Sequence, residues 1–248
     1  MRVNKPVVIA GAAGEDVVIS GADVIPSSQW TQLPDKPIWQ HTPWMYRGPT
    51  HPNDNFHQLI GRTEQAIVDG KLLKQVLELS QMAAGTFYAD PAKALYVWLS
   101  DGGAPSTHRV EASVRPVLMD ITADHVVVRN LKFIHASNRA QQAALKIDGS
   151  ENVVEDCITE WTNGVGTRLG GNQNILRRVV SRFNGQLGLS GAGTRNLMED
   201  CKLEGNNVKG FSKDWEAGGM KAANTRNFQV QHCSAIRNDG PGFWFDID

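Results

Sequence analysis

Short runs in which apolar and polar residues alternate recur through the second half of the chain. They are "VVVRNLKF" from Val126, "NVVEDCIT" from Asn152, "NILRRVVS" from Asn174, "NLMEDCKL" from Asn196 and "FQVQHCSA" from Phe228. Superposed, they bring Leu131, Cys157, Val179, Cys201 and Cys233 to one position, at spacings of 26, 22, 22 and 32 residues. Alternation of period two is the strand signal, and no helical period runs through these segments. The leucine spacing of leucine-rich repeats is also missing. A repeat near 22 residues with Asn and Gly at its corners therefore predicts an all-β parallel solenoid. Each coil lays short strands on the next, and insertions project as corner loops.

That register gives the three cysteines a place. Free cysteine is small and readily buried, so a ladder of Leu, Cys, Val, Cys, Cys reads as an internal apolar stack. No CxxC spacing points to zinc. The corner asparagines suit tight bends, because Asn tolerates the left-handed region and bonds neighbouring backbone.

The first half reads differently. "KPVVIAG" and "EDVVISGAD" predict two opening strands within residues 1–25. The pattern then breaks over residues 26–115, a stretch rich in proline that holds Trp30, Trp39, Trp44 and Trp98. Two hairpins are expected there, one around Asp69-Gly70 and one around Asp90-Pro91, which makes this an inserted β-rich subdomain. A helix over "KLLKQVLELSQM" is the competing reading. Solenoid coils resume over residues 116–248.

Composition narrows the partners. A formal charge of -1 on 248 residues argues against nucleic acid or a membrane surface held by bulk electrostatics. No apolar run is long enough to span a bilayer. His41, His51 and His57 cluster in a Pro-rich stretch without helical spacing, so no metal is assigned. "GAAGE" lacks the strand-to-helix setting of a phosphate loop. Nothing indicates a cofactor, calcium included.

The candidate chemistry lies on the strands that precede each ladder position. "ALKIDG", "GTRLGG", "GLSGAG", "GMKAAN" and "GFWFDID" superpose, and successive side chains of a strand point to opposite faces. With Leu145, Ile147, Leu169, Leu189, Met220, Phe243, Phe245 and Ile247 facing in, Lys146, Asp148, Arg168, Ser190, Lys221, Trp244 and Asp246 face out. A linear polymer along that column meets cations, a hydroxyl, an aromatic ring and carboxylates in turn. Trp215-Glu216 lies just before one of these strands, followed by Gly218-Gly219, whose freedom would bend the chain and leave room for a ligand. Two carboxylates flanking a sugar linkage can act as acid and as nucleophile or base. Asp246, across from Lys221, is the better anion, and Glu216, beside Trp215, the better proton donor. In a second scheme Lys221 and Arg168 neutralise a uronate and acidify its C5 proton, which gives β-elimination.

The repeats, with "WEAGGMK" and "GPGFWFDID", resemble the right-handed parallel β-helix proteins grouped with pectate-lyase-like carbohydrate enzymes. "GTFYADPAKALYVWL" and "VEASVR" in the insertion share the likeness. "FWFDID" is also similar to a motif of the β-helical β-xylosidases, whose "WLD" aspartate is the nucleophile and whose following coil carries a glutamate acid/base. That resemblance implies Asp246 as nucleophile and an extracellular or periplasmic parent protein, although "MRVNKPVVIAG" holds no secretory leader; Trp244, facing out beside polar groups, and Trp215 are expected to contact the sugar because exposed aromatics in such settings mark binding. The coil expected to carry the glutamate would follow Asp248, so the resemblance implies a solenoid truncated at its C-terminus. An uncapped last coil would then be open to self-association. The expected function is a glycoside hydrolase acting on a poly- or oligosaccharide. A uronate polysaccharide lyase and a non-catalytic glycan-binding or structural β-helix are the alternatives.

Overall fold

The computed structural model describes residues 1–44 and 59–247, so His51 and His57 lie outside the described residues. The chain divides into two compact units, residues 1–21 with 115–248, and residues 22–114.

The first unit is a parallel β-helix of three sheets. One sheet has seven strands: Arg2–Val3, Met119–Ile121, Ala143–Ile147, Val165–Leu169, Leu187–Thr194, Gly218–Arg226 and Phe243–Asp246. The other two have six strands each, and the stack of coils runs through all three in parallel register. Val8–Ala10 and Val18–Ser20 are the opening strands of these two sheets. Three bends per coil are made by single left-handed residues, such as Glu151, Asp156 and Trp161 in one coil and Gln173, Arg178 and Phe183 in the next.

Asn130, Asn207, Asn224 and Asn227 take the left-handed conformation that their backbone freedom suggests, whereas Asn152, Asn174 and Asn196 work otherwise. Glu151, Gln173 and Arg195 take the positive φ, and the asparagine after each is fully buried and bonds the preceding coil. Asn152 Oδ1 accepts from the Val126 N–H at 2.7 Å, Asn174 Oδ1 from Asn152 at 2.8 Å and Asn196 Oδ1 from Asn174 at 2.8 Å. Asn174 Nδ2 also donates to the carbonyls of Gly149 and Gly170. A second ladder runs from Thr162 through Asn184 and Asn206 to Asn238.

Inside, Leu131, Cys157, Val179 and Cys201 stack in one apolar core with Met119, Leu145, Ile147, Leu169, Leu189 and Met220. Cys233 packs against it from the edge. Burial pushes the Cys157 thiol up to about 11, which suits an inert packing role. Thr167, at an inward position between leucines, is buried and meets Thr159 Oγ1 at 3.1 Å.

The second unit has a five-stranded and a four-stranded sheet around a separate core that buries Trp30 and Trp44, with Trp39 against it. Both hairpins form. Ala66–Val68 and Lys71–Leu72 join through Asp69 and Gly70 at φ of 49° and 76°, the two positive values of a type I′ turn. Thr86–Asp90 pairs antiparallel with Ala94–Trp98. The competing helix over "KLLKQVLELSQM" does not form. After buried Leu73 the chain changes sheets, Lys74–Val76 pairs in parallel with Thr86–Tyr88, and only a single 3₁₀ turn follows at Leu79–Gln81.

Asn174→Ala removes one acceptor and two donor contacts from buried backbone groups, each costing about 1–3 kcal/mol when left unsatisfied. Urea denaturation is expected to show a lower midpoint with an unchanged slope.

Candidate functional site

Pairing in the seven-stranded sheet puts Asp120, Lys146, Arg168, Ser190, Lys221 and Trp244 in one outward row. Asp120 extends the row that sequence reasoning began at Lys146. It sits in "VLMDIT", whose register becomes readable only once the strand Met119–Ile121 is placed. Two residues further along each strand lie Asp148, Gly170, Ala192, Ala223 and Asp246; Ala223 pairs with Asp246, and a bulge shifts the register between Gly191 and Gly193, where Ala192 meets the next strand. The outer two are acidic and the middle three are small.

The small residues have a use. A Cβ at Gly170 would lie 2.8 Å from Asp148 Oδ1 and 3.4 Å from Arg168 Nε, where the two now meet at 2.9 Å. Lys146 Nζ completes this cluster, 3.0 Å from Asp148 and 3.2 Å from Asp120. Burial works against the Asp148 carboxylate, yet Lys146 and Arg168 prevail and hold it below the usual carboxylate range.

At the other end Lys221 is the organising cation. Its side chain is only 14% exposed, and Nζ lies 2.9 Å from Asp246 Oδ2, 2.9 Å from the Trp215 carbonyl and 4.2 Å from the centre of the Trp244 ring. One ammonium thus ties the strand carrying Asp246 and Trp244 to the loop carrying Trp215 and Glu216. Glu216 Oε2 accepts from Gln141 Nε2 at 2.6 Å, and the Gln141 backbone N–H donates to Gln186 Oε1 at 2.7 Å. Sequence reasoning missed Gln141. It is 75 residues from Glu216 in a bend where it takes φ of 64°, and no short motif joins the two.

These residues enclose a groove of about 360 Å³, lined by Arg168, Ser190, Lys221, Asp246, Trp215 and Glu216, with Gln141 and the small residues Ala192 and Ala223. Of the expected site residues, Lys146 and Asp148 lie beside the groove as an ion-pair cluster. Trp244 lines a separate, shallow depression with Lys213, Asp214, Pro241, Phe243 and Phe245. Ser190 is 7% exposed, and its Oγ has no hydrogen-bond partner among the described residues.

Two expectations are corrected. Ile247 does not face in: its φ of 55° breaks the alternation, and it is 69% exposed at the groove. Gly218 and Gly219 make room for the neighbouring coil instead of a ligand, since a Cβ on either would meet the Pro241 or Gly242 carbonyl at 2.6 or 2.3 Å. Phe245 does turn toward Phe228, but on the edge strand it stays 45% exposed. Among the described residues no group of three or more His, Cys, Asp or Glu is placed to hold a metal, and no helix is long and apolar enough to cross a membrane.

Residues 121–248 match the family described as right handed beta helix region. Among curated proteins none matches the chain. A solved structure described as "The complex structure of XylC with xylose" superposes with a TM-score of 0.74 at 15% identity, over 91% of this chain and 48% of that one. At that identity the likeness shows the fold, and this chain spans about half the length of the solved one.

The Asp148 cluster carries a pH prediction. Because the folded carboxylate titrates below its ordinary value, its stabilisation is full above about pH 4 and fades as the pH falls through the folded value. Asp148→Asn is expected to lower the urea midpoint at neutral pH, with the gap to wild type closing as the solution is acidified. A gap independent of pH would contradict the assignment.

Proposed function

The chain belongs to the right-handed β-helix family, and from that premise we propose that it binds a poly- or oligosaccharide in the groove on its seven-stranded sheet and hydrolyses a glycosidic bond there. The observation that carries this reading is that Glu216 and Asp246, from a loop and from a different strand, line one groove. A structural neighbour described as a complex with xylose supports a sugar as the ligand class.

In this reading Glu216 protonates the leaving-group oxygen and Asp246 acts as nucleophile or as base toward water. Each carboxylate is oriented by a partner that leaves one side of it toward the groove. Lys221 holds Asp246 at Oδ2, and Gln141 holds Glu216 at Oε2. Lys221 also fixes the Trp215 carbonyl, so the two carboxyl groups are set with respect to each other through one side chain. Such orientation is what converts two surface acids into a catalytic pair, because misplacement by about 1 Å can cost about 10²-fold in rate.

The test is release of reducing ends from neutral and uronate oligosaccharides, followed together with the ultraviolet absorbance of an unsaturated product. Hydrolysis without unsaturation is expected, and Asp246→Asn and Glu216→Gln should each lower it by about 10²–10⁴-fold with the fold intact by circular dichroism. Unsaturated product would replace hydrolysis by elimination. Binding without any release would leave a glycan-binding module.

A further inference from the structure

Cys201 and Cys233 occupy the same corner of neighbouring coils. Glu199 pairs with Gln231 and Lys202 with Ser234, so the register between those pairs sets Cys201 directly against Cys233. Cys157 has no such neighbour, since the same register puts Val179 beside it. Parallel strands lie about 4.8 Å apart, inside the Cα separation of about 4.4–6.8 Å that a disulfide spans. The two residues already meet through sulfur, with the Cys201 N–H donating to Cys233 Sγ at 3.3 Å. We propose that Cys201 and Cys233 are a redox pair that peroxide closes into a disulfide between the two coils, with Cys233 as the attacking thiol and Cys201 as the resolving one.

Burial and hydrogen bonding divide these roles. Cys233 is half-buried, whereas Cys201 is 2% exposed within the core. The Cys201 thiol and then the Cys201 N–H bond the Cys233 sulfur and, against desolvation, bring its thiol down to about 7. The same contact, together with burial, pushes the Cys201 thiol up. Cys233 therefore supplies the thiolate, which is the nucleophilic form. Its sulfur attacks the O–O bond of hydrogen peroxide and becomes a sulfenic acid, and the departing oxygen takes up a proton and leaves as water. The Cys201 sulfur then bonds to the Cys233 sulfur, the S–O bond breaks, and the hydroxyl leaves with the Cys201 proton as a second water. Two thiols are oxidised by two electrons, and one peroxide is reduced by two.

Loss of the thiol protons is tolerated by the backbone around the pair. Cys233 Sγ donates to the Gln231 carbonyl at 3.2 Å and Cys201 Sγ to the Glu199 carbonyl at 3.3 Å. Those carbonyls keep the N–H groups of Asp200 at 3.1 Å and Arg178 at 2.9 Å. The bridge spans 32 residues of sequence, and that segment carries Trp215, Glu216 and Lys221. Oxidation thus fixes both ends of the segment that borders the groove, whether or not the groove takes a sugar.

To test the pair, the folded chain is treated with hydrogen peroxide, its remaining thiols are labelled with N-ethylmaleimide after unfolding, and the labels are counted by intact mass and placed by peptide mapping. The reduced chain takes three labels, one on each of Cys157, Cys201 and Cys233. The oxidised chain is expected to keep only the label on Cys157 and to yield a linked Cys201–Cys233 peptide two hydrogens lighter than its parts. Its melting temperature should rise by about 5–10 °C and return to the starting value with dithiothreitol. Cys201→Ala should leave Cys233 as a sulfenic acid that dimedone traps, and Cys233→Ser, at the half-buried position, should leave Cys157 and Cys201 unoxidised. Three labels after peroxide, or Cys233 of the wild-type chain carried on to sulfinic acid without a linked peptide, overturns the pair. Linkage between two chains overturns it as well. A linked peptide accompanied by a lower melting temperature overturns the fit of the bridge to the native stack.

Discussion

A row of side chains exists on this protein only because each coil repeats the last in register. Parallel backbone bonds set neighbouring strands about 4.8 Å apart, and the buried asparagine ladders fix the corners, so that the N–H opening one coil is satisfied by the amide of the next. Lose that registry and the outward rows become unrelated surface charges. The interior follows the same rule, with Leu131, Cys157, Val179 and Cys201 stacked in one column of the core.

Registry alone gives a ladder of alternating charges; a groove needs departures from the repeat. Three are visible. Gly170, Ala192 and Ala223 are the small residues between Asp148 and Asp246, and a bulge breaks the pairing at Ala192. The longer interval between Cys201 and Cys233 holds the loop that raises Trp215 and Glu216 over the sheet. Lys221 then ties that loop to Asp246 and Trp244 through three contacts made by one partly buried ammonium. Burying it is tolerable because a carboxylate, a carbonyl and an aromatic face replace the lost water.

Much of this was legible in the chain. A two-residue period and a repeat near 22 residues are strong, local signals, and they specify which residues share a row, from Lys146 through Arg168 and Ser190 to Lys221. What escaped is of another kind. That Glu151, Gln173 and Arg195, and not the asparagines after them, take the left-handed bend depends on where an amide side chain finds a buried partner. The left-handed turn at Ile247 overrides an alternation that the sequence continues. Gly218-Gly219 looked like a ligand's space because sequence cannot show that the carbonyls of Pro241 and Gly242 occupy it. The Gln141–Glu216 contact joins loops from distant coils, and only the stack brings them together.

Everything proposed for the groove depends on Glu216 and Asp246 facing one sugar across it. The measurement to make is a crystal structure of the chain soaked with xylotriose. The expected result is a sugar ring in the groove with a glycosidic oxygen within hydrogen-bond reach of Glu216 and the anomeric carbon on the side of Asp246. A sugar bound elsewhere on the chain, with this groove still filled by solvent at saturating ligand, would contradict it.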